Sequence, residues 1–126
     1  MKYLLLLTND ADEIASWEHL TPEEARRADE ESEPVWNAAI ARMSERGRLL
    51  GGLELAPPSA AKTVRGRGGE LLVTDGPYAE TREQLGGYFL VECESLDDAI
   101  AMAELVPVAR TGAVEIRPLV TEEERP

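Results

Sequence analysis

Gly86-Gly87-Tyr88-Phe89-Leu90-Val91-Glu92-Cys93-Glu94 (GGYFLVECE) is the stretch that decides the fold. As a strand it turns Phe89, Val91 and Cys93 to one side and Tyr88, Leu90 and Glu92 to the other, because side chains alternate with period two. Ser95 follows as the N-cap of a helix with a stripe of Leu96, Ala99, Ile100 and Ala103, and Pro107 comes just after the helix end. Ala113–Val120 then reads as a closing strand with Val114 and Ile116 inward, and Pro118 confines it to a sheet edge.

Working back toward the start, Lys2–Thr8 (KYLLLLT) is apolar on both alternating faces, as a central strand covered on both sides requires. Thr21-Pro22-Glu23-Glu24 supplies an N-cap, a proline at the first helical position and a capping-box glutamate, so a helix is predicted from Pro22. Pro34 lacks the N–H that a helix interior needs, so the segment to Arg46 is either one kinked helix or two helices. Trp36, Ile40 and Met43 form its apolar stripe, and Gly47 is a suitable stop. Arg48–Leu55 reads as a strand, with Gly51-Gly52 marking a bulge or a close backbone approach. Lys62–Arg65 and Glu70–Thr74 flank Gly66-Arg67-Gly68-Gly69 and make a hairpin.

With the hairpin set aside as an insertion, the order is strand, helix, strand, strand, helix, strand: an α+β chain with the split βαβ pattern of ferredoxin-like folds. The right-handed crossover rule puts both helices on one face of the antiparallel sheet. The other face, carrying Tyr88, Leu90 and alternate residues of the first strand, is too apolar to be left in water, which implies a homodimer.

At 126 residues the chain suits one domain, taken as residues 1–121 with an acidic tail over residues 122–126. Thirteen Lys and Arg against 25 Asp and Glu leave a net charge of -12, which repels nucleic acid and anionic membrane surfaces alike. The apolar run Tyr3–Leu7 is too short for a membrane span or a secretory leader, so a cytoplasmic protein is expected. One cysteine and one histidine cannot build a disulfide or a Cys/His zinc site, and the carboxylates lack calcium-loop spacing; neither metal nor cofactor is expected.

The densest run of unusual residues is Asp75-Gly76-Pro77-Tyr78-Ala79-Glu80-Thr81-Arg82-Glu83-Gln84-Leu85-Gly86-Gly87-Tyr88. It resembles the DGPF branch of the YCII-related family, whose signature reads DGP, an aromatic residue, then E-T-K-E-x-L-G-G-Y. The resemblance extends from Lys2-Tyr3-Leu4-Leu5-Leu6 through Gly51-Gly52 and Leu55-Ala56-Pro57-Pro58 to Val114-Glu115-Ile116-Arg117-Pro118. It implies a dimeric α/β barrel, in which ferredoxin-like protomers pack sheet to sheet, and an association with extracytoplasmic-function sigma factors. Distant YCII-like relatives carry a histidine in the first helix and an aspartate after the second, proposed as an acid-base pair. Here those positions fall at Trp36 and Val106, neither of which transfers a proton.

Asp75 admits two readings. Asp-Gly-Pro is a good turn, with the carboxylate accepting local N–H groups; equally, the turn presents Asp75 and Tyr78 at a pocket mouth, Asp75 acting as general base or ligand anchor. Glu92 shares a face with Tyr88 and Leu90 and needs a partner, which Arg117 offers from the closing strand, either as a structural pair at the dimer interface or as a polar pocket floor. The candidate site is therefore Asp75 as the catalytic residue, with Tyr78, Glu80, Arg82, Tyr88, Glu92 and Arg117 as ligand contacts. His19 reads as a solvated loop residue, Cys93 as a buried unreactive thiol, and Lys62, Arg65 and Arg67 as a charged hairpin edge.

Two functions from different classes fit. One is a protein that binds or transforms a small molecule in a pocket between the sheet and the Asp75–Tyr88 segment, by acid-base proton transfer or lyase-type chemistry if it is an enzyme. The other is a non-enzymatic regulatory or interaction protein working beside a sigma factor. A pocket lined by Asp75, Tyr78, Glu92 and Arg117 favours the first, and a filled interior with those side chains in solvent the second.

Overall fold

A computed structural model describes residues 1–78 and 81–125. Along the chain it shows β1 (Lys2–Asp10), α1 (Ala11–Glu18), α2 (Pro22–Met43), β2 (Arg48–Glu54), β3 (Lys62–Arg67), β4 (Glu70–Asp75), β5 (Glu83–Glu92), α3 (Leu96–Leu105) and β6 (Ala113–Pro118). Four strands form an antiparallel sheet in the order β2-β5-β1-β6, and β3 and β4 pair only with each other. Since β1 and β2 both run antiparallel to β5, they are parallel to one another and joined by α2; β5 and β6 are related in the same way through α3. This is the split βαβ, ferredoxin-like arrangement with a hairpin inserted between its halves.

Alternation along β1 sets the core. Tyr3, Leu5, Leu7 and Asn9 are buried under the helices, while Leu4, Leu6 and Thr8 are only half-buried on the opposite face. Leu5, Met43, Val91, Met102 and Val106 lose essentially all contact with water, each contributing about 1.5–3 kcal/mol of transfer free energy. Phe89, Val114 and Ile116 pack against this cluster from the sheet and Trp36 from α2, in the phases expected. Pro118 ends an edge strand, as its missing N–H requires.

Several boundaries differ from expectation. α2 is one helix of 22 residues with Pro34 inside it, and it closes at Met43 with Ser44 as cap rather than at Gly47. The buried stripe of α3 is Ala99, Met102 and Ala103; Leu96 and Ile100 are exposed, because the helix is turned so that Met102 fills the space beside Gly47. β1 and β5 run further than predicted, since Asn9 and Asp10 continue to pair with Gln84 and Glu83 beyond a bulge at Gly86. α1 was not anticipated at all. Asp10 caps it by accepting the Asp12 N–H at 2.8 Å, and Ile14 anchors it to the core. In the hairpin, Gly68 and Gly69 take φ of 59° and 84°, the left-handed pair that a two-residue connection demands.

Candidate functional site

A cavity of about 580 Å³ opens between the sheet, the end of α1 and the N-terminal half of α2. Its floor is cut from small residues. A Cβ on Gly52 would lie 2.6 Å from the Phe89 ring, and one on Gly87 would lie 2.9 Å from the Leu53 carbonyl oxygen, so backbone itself forms the surface there. Trp17, Trp36 and Phe89 supply aromatic walls, with the rings of Trp36 and Phe89 tilted at a centroid separation of 6.3 Å. Asn9, Asp29, Ser32 and Glu54 are its polar lining, and among the described residues no lysine, arginine or histidine lines it.

Asn9 is the most informative of these. It occupies a core phase of β1, only 7% exposed, yet among the described residues no hydrogen bond engages its side chain. It also lines a smaller adjoining space of about 210 Å³, bounded by Ile14, Trp17, Glu54 and Pro57, and so stands where the two meet. Among the described residues no side-chain nitrogen or oxygen is both sealed from solvent and unpaired, so the Asn9 amide keeps its polar atoms open to the cavity, where water or a bound molecule can engage them.

The residues singled out from sequence are spread more widely. Tyr88 borders the cavity by its place on β5, while alternation turns its side chain to the helix-free face with Leu6 and Leu90. Asp75 ends β4 with an exposed carboxylate, ion-paired with Lys62 across the hairpin. Behind it Gly76, at φ 90°, donates its N–H to the Ala61 carbonyl at 2.8 Å, and the Thr63 hydroxyl donates to the Gly76 carbonyl at 2.7 Å. The exposed ring of Tyr78 lies beneath the Arg65 guanidinium, 4.8 Å from its centroid. Arg82 faces Asp10 at 3.5 Å and Asp12 at 3.8 Å, and its carbonyl accepts the Ala11 N–H, tying the start of β5 to the cap of α1. Glu80 lies outside the described residues.

Glu92 and Arg117 do share the helix-free sheet face, but β1 runs between them, with Lys2 opposite Glu92 and Leu4 opposite Arg117. Glu92 instead meets Arg48 of β2 at 3.4 Å, and Arg117 meets Glu115 two residues away on its own strand at 3.1 Å. The expected Glu92–Arg117 pair is thus replaced by two pairs within neighbouring or identical strands.

Among the described residues two ionisable groups are displaced, and neither lines the cavity. Backbone and side-chain hydrogen bonds with Thr21 in the capping box of α2 hold Glu24 below the usual carboxylate range. Burial pushes the Cys93 thiol up, against a smaller lowering effect of the Ser95 backbone; the thiol itself donates to the Ser95 carbonyl at 3.3 Å. Among the described residues, no three His, Cys, Asp or Glu side chains gather as a metal site, and no helix is long and apolar enough to cross a membrane.

Sequence reasoning missed Asn9, Trp17, Asp29 and Glu54. A signal for Asn9 was present, since it continues the inward series Tyr3, Leu5, Leu7 as a polar residue in a core phase. Asp29, Ser32 and Trp36 likewise stand at helical spacing on one face of α2.

Comparison with known proteins agrees with this architecture. An uncharacterised protein of Rhizobium meliloti is 37% identical over 121 residues, spanning 94% of this chain and 92% of its own. Among solved structures, a 5-chloro-2-hydroxyhydroquinone dehydrochlorinase from Burkholderia phenoliruptrix, in complex with 2,5-dihydroxybenzoquinone, superposes with a TM-score of 0.50 over the whole of both chains at 11% identity, a likeness of fold alone. The YCII-related domain matches residues 1–123, and the chain therefore belongs to the YCII-related family.

Proposed function

We propose that this protein binds a small, largely apolar molecule in the cavity between the sheet and α2, and does so as a homodimer whose helix-free sheet faces cover one another. The observation that carries the first part is Asn9, a polar residue in a core phase of β1 whose amide makes no hydrogen bond among the described residues and is open to an aromatic-walled space of about 580 Å³. That volume is in the range of ordinary ligand sites, and one polar group set in apolar walls is how such sites fix orientation. The dehydrochlorinase of like fold was solved with a small cyclic molecule bound, which is consistent with a ligand-binding use of this scaffold. Asp29 and Glu54 are the lining carboxylates through which proton transfer would run if the bound molecule is also transformed.

The test is a screen of chemically diverse compounds by thermal shift and intrinsic fluorescence. Both tryptophans of the chain line the cavity, so a ligand there changes their emission as well as raising the melting temperature. Compounds that stabilise the native protein and lose their effect in Trp36→Ala support the reading. A library that yields none, or hits indifferent to Trp36→Ala and Asn9→Leu, defeats it.

A further inference from the structure

The charge of the cavity narrows what it can hold, and this step rests on the ligand-binding reading above. Asp29 of α2 and Glu54 at the end of β2 bring carboxylates to the lining from two different elements, and no cationic side chain lines the space. Neither carboxylate belongs to any ion pair among the described residues, although Asp10, Asp75, Glu92 and Glu115 each have a basic partner. The inner end of the same space holds Asn9, more than nine-tenths buried and without a hydrogen bond among the described residues. Around these polar groups stand Trp17 and Trp36, whose ring faces attract a cation more strongly than those of other aromatic side chains.

A carboxylate or phosphate ligand would enter this space against two negative charges with nothing to receive its own. A neutral apolar ligand would satisfy the aromatic walls and leave the carboxylates unused. We infer that the cavity is selective for an organic cation: a molecule with a flat or apolar body that fits between Trp17 and Trp36 and a protonated amine directed at Asp29 and Glu54, with a further polar atom available to Asn9. The net charge of -12 acts in the same direction by raising the local concentration of cations.

Three probes with one aromatic body decide the matter: phenethylamine, phenethyl alcohol and phenylacetate, titrated separately into the native protein while tryptophan emission is followed at low ionic strength. The ammonium compound is expected to bind about tenfold or more tightly than the alcohol, a difference of about 1.4 kcal/mol, with the carboxylate weakest. The paired substitution Asp29→Asn with Glu54→Gln should bring the amine and the alcohol to similar affinity. Glu122→Gln with Glu123→Gln removes the same two charges from the C-terminal end and should leave the preference intact.

The inference is overturned if the alcohol or the carboxylate binds as well as the amine, or if the C-terminal pair of substitutions erases the preference as fully as the cavity pair. In either case the cavity remains a ligand site and only the assignment of its class fails. If none of the three probes changes the emission, the class assignment fails as well. A blank result in the broad screen in addition removes the ligand-binding reading itself.

Discussion

Lys62 and Asp75 face each other at the open end of the β3–β4 ladder, their charged groups paired in solvent on either side of the hairpin. The pair closes a structure already held by the Gly76 N–H on the Ala61 carbonyl and by the Thr63 hydroxyl on the Gly76 carbonyl. An exposed pair of this kind is worth at most about 1 kcal/mol. Asp75→Asn is therefore expected to lower stability by less than that in a urea titration and to leave the affinity of any cavity ligand unchanged. A loss of affinity or turnover of about tenfold or more, with the melting temperature intact, would restore Asp75 to the site.

Asn9 should behave in the opposite way. Leucine has nearly the same shape, needs no hydrogen-bond partner and continues the series Tyr3, Leu5, Leu7 into the core. Asn9→Leu is expected to leave stability within about 1 kcal/mol of wild type, because the amide it removes is open to the cavity rather than sealed and unpaired, while weakening a ligand found in the screen. Urea midpoints and ligand titrations on one preparation give both numbers. Destabilisation with unchanged affinity would mean that the amide serves the fold.

The contrast between Gly112 and Gly51 tests the backbone packing of the sheet. A Cβ on Gly112 would lie 2.1 Å from the Thr8 carbonyl oxygen, an atom of the central strand that cannot turn aside, whereas one on Gly51 meets nothing within 4 Å. Gly112→Ala is expected to cost about 3 kcal/mol, at the upper end of overpacking effects, and Gly51→Ala to stay within about 0.5 kcal/mol of wild type. Similar melting temperatures for the two variants would contradict the described approach of the chain leading into β6.

Assembly is tested on the helix-free sheet face, where Leu4, Leu6, Tyr88 and Leu90 lie together and no helix covers them. Light scattering is expected to give the mass of two chains at micromolar concentration, and Leu90→Glu to shift it to one chain with the helical signal in circular dichroism retained. A wild-type monomer would remove the dimer from the proposed function.

The sheet was legible in the sequence because period-two alternation in Lys2–Thr8 and Gly86–Glu94 is a local property that tertiary structure had no reason to override. The capping box at Thr21, the N-cap at Ser95 and the hairpin at Gly66-Arg67-Gly68-Gly69 were legible for the same reason, being complete within four or five residues. What escaped was non-local. α1 is eight residues long, too short to announce itself by period, and exists because Asp10 caps it and Arg82, just before β5, holds that cap from a distant part of the chain. The rotation of α3 that buries Met102 and exposes Ile100 depends on the absence of a side chain at Gly47, more than fifty residues away. The candidate site suffered most. Asp75, Tyr78 and Arg82 stood out as a dense polar run, but density in sequence reflected a hairpin end and a helix cap, each satisfied by its own neighbours. The cavity residues come from β1, α1, α2, β2 and β5, and of these only the Gly86–Tyr88 stretch lies in the run that stood out in sequence.

Cys93 offers a measurement of the core itself. Its side chain is 6% exposed, in the cluster with Val91, Met102 and Ala103, and burial is the largest cause of the upward displacement of its thiol. Only the thiolate reacts, and here it is disfavoured as well as inaccessible. A thiol reagent is expected to label native protein slowly, at a rate that rises with urea in step with unfolding, because the reactive state is the opened one. The linkage has a definite sign. A group whose folded pKa lies above its unfolded value stabilises the fold fully below the unfolded value, about 8.5 for a thiol, and loses that contribution as the pH rises toward the folded value. Unfolding free energy should thus fall above about pH 8.5 in the wild type more steeply than in Cys93→Ala, which has no thiol to ionise. Prompt stoichiometric labelling at neutral pH, or identical alkaline slopes for the two proteins, would place Cys93 on the other side of β5 and shift the register of that strand by one residue.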